Sequence, residues 1–289
     1  MADKRQVQPP LVIGIAAHFR HLLLLSLCLA PILTAILGGT AALGQARAQS
    51  SGGPVDVAIV LAVDSSVSMD NSEYGLQMVG IANALIHPAI ANAIAAGPHK
   101  AIAVSMVAWS GELDQTVVLP WTRIAGPGDA TRAARTIADS PRIFHHGGTA
   151  IGAGLAFSLT LFDSLPWPAG RRVIDVSGDG KNRHAPLIRS LRPDLQRRRI
   201  TVNGLPISAL EPDLETYYRE VVISGPRAFV VPALDFQAFG DAFLIKLLRE
   251  VRGEPFVSRN DGGPRPVDGP FPGTVPSAMV RATIATAAD

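Results

Sequence analysis

Residues 55–68 have the sequence VDVAIVLAVDSSVS, in which a long apolar segment is followed by short polar side chains. Its first nine residues form a near-continuous apolar run, which is typical of a β-strand buried on both faces of a parallel sheet. Runs of the same kind at 100–109, 172–176 and 200–206 alternate with segments of helical period. The alternation predicts an α/β fold, Rossmann-like, with a doubly wound, mostly parallel sheet and helices on both faces.

Two shorter segments complete the predicted sheet. Residues 116–119 are expected to pair in a hairpin at one edge, and residues 228–231 to add a last main strand. With the edge strand counted third, a strand order of 3-2-1-4-5-6 places the first and fourth strands side by side. Ligands of such sheets bind where neighbouring strands end and the strand order reverses, so polar residues at those ends are candidates for a site.

Three loops carry oxygen-bearing side chains at these strand ends. Asp64, Ser66 and Ser68 form a D-x-S-x-S sequence directly after the first strand. Thr149 follows two glycines and is expected to open a helix, and Asp179 ends the fourth strand within SGDG. Carboxylates and hydroxyls are the hard oxygen ligands that Mg²⁺ and Mn²⁺ prefer. For the first of these loops the alternative is an ordinary helix N-cap, which also favours Asp and Ser.

This set of motifs resembles the metal ion-dependent adhesion site of von Willebrand factor type A domains. The resemblance covers residues 55–251. Four phrases are similar to a bacterial exported branch of unknown function within that superfamily: AWSG at 108–111, VSGDG at 176–180, NGLPI at 203–207 and KLLRE at 246–250.

The resemblance implies a role for each of the five side chains. Ser66, Ser68 and Thr149 would supply hydroxyl ligands, and Asp64 and Asp179 would act directly or through water. The implied cation is Mg²⁺ or Mn²⁺, ahead of Ca²⁺. One coordination position would stay open for an exposed Asp or Glu of a partner protein, so the implied function is protein interaction and not catalysis.

The two ends of the chain differ from its middle. Residues 1–48 combine a basic start, an apolar run and the triplet ARA at 46–48, which is the pattern of a cleaved secretory signal peptide, with an uncleaved membrane anchor as the alternative. A linker at 49–54 would lead into a domain at 55–252. The segment 253–289 is rich in Pro and Gly and predicts a disordered tail. These features favour a periplasmic or secreted bacterial protein.

Composition excludes several classes of protein. The chain has 289 residues and one cysteine, Cys28, which lies within the apolar run of the expected signal peptide. The cleaved chain would therefore have no disulfide, no cysteine-ligated zinc and no thiol nucleophile. Of 26 basic and 24 acidic residues, residues 1–48 hold four and one, so the remainder has 22 and 23 and a net charge of about −1. That balance argues against a nucleic-acid partner.

Two rival functions stay open at this point. A metal-dependent hydrolase could use the same cation with His146 or His184 as general base. Alternatively, the cation could be purely structural and join the loops without binding a partner. Neither a nucleotide-binding glycine motif nor a G-x-S-x-G nucleophile motif occurs in the sequence.

Overall fold

The computed structural model describes residues 52–182, 185–209 and 211–253. The expected signal peptide at 1–48, the tail beyond 253 and His184 lie outside these residues. The strands are β1 (Val55–Asp64), β2 (Ile102–Trp109), β3 (Gln115–Ile124), β4 (Ala169–Gly178) and β5 (Ile200–Pro206). The helices are α1 (Asn71–Ile86), α2 (Pro88–Ala96), α3 (Pro127–Ala138), α4 (Ile151–Leu161), α5 (Ala185–Arg197), α6 (Leu214–Tyr217) and α7 (Phe239–Arg252).

The five strands form one sheet in the order β3-β2-β1-β4-β5. β1 pairs in parallel with β2 and with β4, β4 pairs in parallel with β5, and β3 runs antiparallel at one edge. β1 and β4 are therefore neighbours, and their carboxyl ends meet where the strand order reverses. The predicted doubly wound α/β fold is confirmed.

Alternate residues of β1 point to opposite faces of the sheet, which explains its unbroken apolar run. Val57, Ile59 and Leu61 face a core formed with α1, α2, α3 and α7, whereas Val60 and Ala62 face a second core formed with α4, α5 and α6. Because both faces are covered by helices, the strand has no solvent side.

The last predicted strand, at 228–231, is not a strand. Segment 224–233 lies along the outer edge of β5 and makes only isolated bridges, through Ser224, Val230 and Ala233. Arg227 has a left-handed backbone (φ 59°), and Pro232 has no N–H to donate, so a regular ladder cannot continue here. At the opposite edge, β3 has register irregularities where it pairs with β2, and it contains Pro120.

A buried ionic cluster joins α7 to the sheet. Lys246 on α7 forms ion pairs with Asp175 on β4, at 2.5 Å, and with Glu250, at 2.7 Å, and all three side chains are almost fully buried. Asn203 on β5 donates to the same Glu250 carboxylate at 2.8 Å. Burial and the nearby Glu250 charge raise the pKa of Asp175 to about 8. The cluster fixes the position of α7 relative to the two strands.

The described α-helices are 4 to 16 residues long. None of them is long and apolar enough by itself to cross a bilayer. α1 and α2 together reach that length and composition, with a bend of 48° between them.

Candidate functional site

The site lies at the carboxyl ends of β1 and β4. Asp64 is the last residue of β1 and is fully buried. Its Oδ1 accepts a hydrogen bond from the backbone N–H of Ser66 at 2.7 Å, which bends the chain sharply after the strand. The N–H of Ser65 donates to the carbonyl of Trp109 at 2.8 Å and thereby holds the loop against the end of β2.

A chain of hydrogen bonds links the first loop to the third. The hydroxyls of Ser66 and Ser68 are 2.9 Å apart, and the Ser68 hydroxyl donates to Asp179 Oδ1 at 2.8 Å. Together with the bond from the Ser66 N–H to Asp64, these contacts join four of the five predicted site residues. The bond from Ser68 to Asp179 connects residues 111 positions apart in the sequence. Asp64 and Ser66 are buried, whereas Ser68 is exposed, so the group has an inner and a solvent-facing side.

The structure brings Thr149 next to this group, although not at the start of a helix. α4 begins at Ile151, because the N–H of Ala150 donates to the carbonyl of Ser110 at 2.9 Å and holds the preceding backbone in an irregular conformation. A Cβ on Gly180 would lie 3.0 Å from Thr149 Oγ1. The absence of a side chain at position 180 therefore lets the threonine hydroxyl approach the Asp179 loop closely.

The two carboxylates lie in an environment that disfavours their charged forms. Burial, followed by the nearby Asp179 charge, raises the pKa of Asp64 to about 8. Burial also raises the pKa of Asp179. Asp64 Oδ2 is buried and has no hydrogen-bond partner among the described residues. Two buried carboxyl groups with an unpartnered oxygen lack a positive charge between them, which is the deficit that a cation would fill.

A tyrosine that no sequence motif indicates lies behind the site. Tyr218 is fully buried, and its hydroxyl has no partner within the described part of the chain. A Cβ on Gly178 would lie 2.8 Å from Asp64 Oδ2 and 3.0 Å from the Tyr218 hydroxyl, so both atoms approach the same glycine. A Cβ on Gly204 would lie 2.6 Å from the tyrosine ring. The two glycines, on neighbouring strands, make the space that Tyr218 occupies.

Sequence reasoning also missed Arg142. Its guanidinium donates to the carbonyl of Ser66 at 2.7 Å and to Asn71 Oδ1 at 3.4 Å. It therefore fixes the D-x-S-x-S loop from outside. No motif surrounds this arginine, and it lies 76 positions from the serine, so only the fold reveals the contact.

His146 does not join the carboxylate pair. Its Nδ1 lies 3.6 Å from Asp114 Oδ2, and 74% of its side chain is exposed. The carbonyl of His146 accepts a hydrogen bond from Ser110 at 2.7 Å, so the residue anchors its loop through the backbone. His146 therefore lies at the solvent-exposed margin of the site, away from the two carboxylates. His184 lies outside the described residues.

The donor set fits a small, hard divalent cation. It consists of two carboxylates and three hydroxyls, all with oxygen donors, and the described residues contain no cluster of three or more His, Cys, Asp or Glu side chains that could hold a metal. None of these five side chains offers a nitrogen or sulfur donor, whereas Mg²⁺ and Mn²⁺ favour oxygen donors.

Solved structures with the same fold come from several kinds of protein. The pilus adhesin SpaC from Lactobacillus rhamnosus GG superimposes with a TM-score of 0.50 at 15% identity, over 71% of this chain and 31% of that one. Proximal thread matrix protein 1 from the mussel byssus superimposes with a TM-score of 0.50 at 18% identity, over 70% and 49%. A von Willebrand factor type A protein from Catenulispora acidiphila gives 0.47 at 20%, over 68% and 43%.

These likenesses concern the fold alone, and they agree with the doubly wound α/β architecture expected from the sequence. This chain spans less than half the length of each of those three solved chains. No curated protein matches its sequence. A family model described as "Protein of unknown function (DUF1194)" matches residues 54–255. Since that match covers most of the chain, the protein belongs to the DUF1194 family.

Proposed function

We propose that this protein is an exported interaction module that holds Mg²⁺ or Mn²⁺ and through it engages an acidic residue of a partner protein. The ligands would be Asp64, Ser66, Ser68, Thr149 and Asp179. The observation that carries the proposal is the hydrogen-bonded group joining Asp64 to Asp179, in which a buried carboxylate oxygen has no partner among the described residues. A bound cation would supply the positive charge that this group lacks.

The solvent-facing side of the group supports a role in docking. Ser68 is exposed and Thr149 is half-buried, so a cation between the three loops would be reachable from outside. Five side chains cannot surround an octahedral ion completely, and an incoming carboxylate would gain a charge-assisted contact at the remaining position. A purely structural cation would not need this open side.

The surroundings of the site favour a protein partner over a small substrate. Val67, Leu113 and Ile143 are 60%, 95% and 48% exposed, and each lies on a loop beside the site. Val67 stands between two proposed ligands in the sequence. Leu113 is in the turn whose Asp114 approaches Gly147, and Ile143 follows the arginine that holds the first loop. Exposed apolar side chains around a polar centre are typical of protein-binding surfaces.

Export rests on the sequence of residues 1–48, and it agrees with the pilus adhesin among the proteins of similar fold. The proposed location is the periplasm or the medium, with an inner-membrane anchor as the alternative should the apolar segment not be cleaved.

Metal binding is tested by thermal unfolding and calorimetric titration with Mg²⁺, Mn²⁺ and Ca²⁺. We expect dissociation constants in the micromolar to millimolar range and stabilisation of about 2.7 kcal/mol at a hundredfold excess over Kd. Asp64→Ala should abolish both effects. Asp163→Ala is the matched control, because Asp163 is exposed and is paired with Arg198 away from the site. A melting temperature that none of the three ions changes would refute the metal site.

Docking is tested by affinity capture from periplasm with and without chelator, using wild type and Thr149→Ala. We expect partners that are lost in both the chelated sample and the variant. If chelation leaves the captured proteins unchanged, the cation is not the docking point. The hydrolase alternative predicts turnover that His146→Ala or His184→Ala removes.

A further inference from the structure

An arginine-lined pocket lies at the amino ends of β4 and β5, at the opposite end of these strands from the proposed cation site. It has a volume of about 440 Å³ and is bounded by these two strands, by segment 225–229 and by the end of α7. This size falls within the range of small-molecule sites. Five arginines line it, and Glu250 is the acidic residue among the described lining residues. The arginines are Arg171, Arg172, Arg199, Arg227 and Arg249.

The positive charges of four of these arginines are not neutralised by ion pairs within the described part of the chain. In residues 52–182, 185–209 and 211–253, no carboxylate lies within 4.0 Å of Arg171, Arg172, Arg199 or Arg227 to form one. Arg198, next to one of them in sequence, does form such a pair, with Asp163 at 2.7 Å. Charge pairing therefore occurs on this part of the surface, but the four pocket arginines have no such partner among the described residues.

Backbone carbonyls hold three of these side chains without cancelling their charge. Arg171 donates to the carbonyls of Glu250 and Val251 at 2.6 and 2.9 Å, which also occupies the carbonyls at the end of α7 that would repel an anion. Arg227 donates to the carbonyl of Gly253 at 3.5 Å, and Arg172 donates to the carbonyl of Arg198 at 3.4 Å. Burial, followed by the nearby positive charge of Arg227, lowers the pKa of Arg171. The two guanidinium groups are therefore close enough to repel one another.

The acidic residue of the pocket is engaged elsewhere. Glu250 Oε1 lies 2.7 Å from Lys246 and accepts from Asn203, within the buried cluster described above. Its Oε2 is buried, so the carboxylate faces the interior and not the pocket. The arginine side chains therefore dominate the charge that the pocket presents to a ligand.

Two of the arginines have unusual backbone conformations. Arg199 and Arg227 have φ values of 53° and 59°, and Lys100 is the other described non-glycine residue with a positive φ. Left-handed backbone is unfavourable for residues with a side chain, and such positions are concentrated at binding and active sites. Their occurrence together at one pocket is a second observation, independent of charge.

We propose that this pocket binds a small molecule through its phosphate group. Guanidinium groups match phosphate geometry with paired hydrogen bonds, and four guanidiniums without carboxylate partners suit a group with two negative charges. The Arg249 guanidinium stacks on the ring of Phe229, 3.9 Å from its centroid, which holds this fifth arginine at the pocket. This site is separate from the proposed cation site and does not depend on it.

The test uses the full chain in the presence of EDTA, so that the cation site plays no part. Pyrophosphate is titrated by calorimetry at 0.15 M NaCl, and vesicles containing phosphatidylglycerol are tested by co-sedimentation, because a lipid headgroup carries the same chemistry. Saturable binding in either arm supports the pocket and identifies a soluble or a lipid source of the phosphate. Absence of binding in both arms, at up to 10 mM pyrophosphate, overturns the proposal.

Variants locate the binding on the surface. Arg172→Gln and Arg227→Gly should each weaken binding about ten-fold, which equals ~1.4 kcal/mol. Arg227→Gly also relieves the left-handed backbone, so this variant keeps the fold intact. Arg132→Gln is the control, because it removes the same charge from an exposed ion pair on α3. If the control weakens binding as much as the pocket variants do, the interaction is general charge attraction and the proposal is wrong.

Discussion

Asp64→Asn should stabilise the metal-free protein while it abolishes metal binding. An unfolded aspartate ionises near pH 4, whereas burial and Asp179 raise the pKa of Asp64 to about 8 in the folded state. Between these pH values, ionisation of Asp64 lowers the free energy of the unfolded state more than that of the folded state. The free energy of unfolding of the wild type should therefore fall as the pH rises, by up to about 1.4 kcal/mol per unit from this residue. At pH 7 the loss is at most about 4 kcal/mol.

The asparagine variant lacks this penalty and keeps the shape of the side chain. Its carbonyl can still accept from the Ser66 N–H, and its amide can donate to the Tyr218 hydroxyl near the same glycine. In chelator, the variant should match the wild type near pH 4 and exceed it increasingly towards pH 8. Millimolar Mg²⁺ should then stabilise the wild type only, because the cation needs the ionised carboxylate.

Urea unfolding at pH 5, 6, 7 and 8, with EDTA or with Mg²⁺, measures both effects. Asp163→Asn serves as the control for a lost surface charge, because Asp163 is exposed and forms an ion pair with Arg198 away from the site. A destabilising buried charge on Asp64 is ruled out if Asp64→Asn is less stable than the wild type at pH 7 in EDTA, or if the difference between them is constant from pH 5 to 8.

Three further predictions concern the buried ionic cluster, the proposed cation site and the expected signal peptide. Lys246→Met leaves two buried carboxylates without their counter-charge and should lower the free energy of unfolding by about 3–5 kcal/mol in denaturant titrations. Gly178→Ala places a methyl group against the carboxylate of Asp64, which should lower the free energy of unfolding by ~1–3 kcal/mol. The same crowding should weaken Mg²⁺ binding about ten-fold or more, as measured by calorimetry. Its control, Gly75→Ala in the open interior of α1, should raise stability slightly, and equal Mg²⁺ affinities in the two variants would contradict the crowding. N-terminal sequencing of exported protein should begin at Gln49, and intact chain in the cytosol would disprove export.

The sequence predicts the sheet and four joined site residues because both depend on local pattern. The apolar run before Asp64 specifies a central strand, and polar residues directly after such strands must meet at one edge of the sheet. Thr149 was predicted at a helix start, whereas the bond from Ala150 to Ser110 delays the helix by two residues. That bond joins distant segments, so local pattern cannot reveal it.

Tyr218 and the pocket arginines could not be predicted from the sequence for a related reason. Tyr218 begins a π-helical turn at Tyr218–Val222, which has no reliable sequence signal, and its proximity to Asp64 depends on glycines in two other strands. Arg171 and Arg227 are 56 positions apart, and only the packing of segment 225–229 against β4 and β5 places them at one pocket. Long-range juxtaposition of side chains without a motif becomes visible only in the fold.

The covered and broken edges of the sheet limit how this protein can associate with other chains. Strand addition, in which a foreign segment extends a sheet, needs an uninterrupted row of free N–H and C=O groups. At β5 that row is occupied at intervals by segment 224–233, and at β3 it is interrupted by Pro120, which lacks an N–H. Two copies therefore cannot readily polymerise edge to edge. The folded protein therefore resists amyloid-like stacking through its sheet edges, and any contact with another chain falls to its loops and side chains.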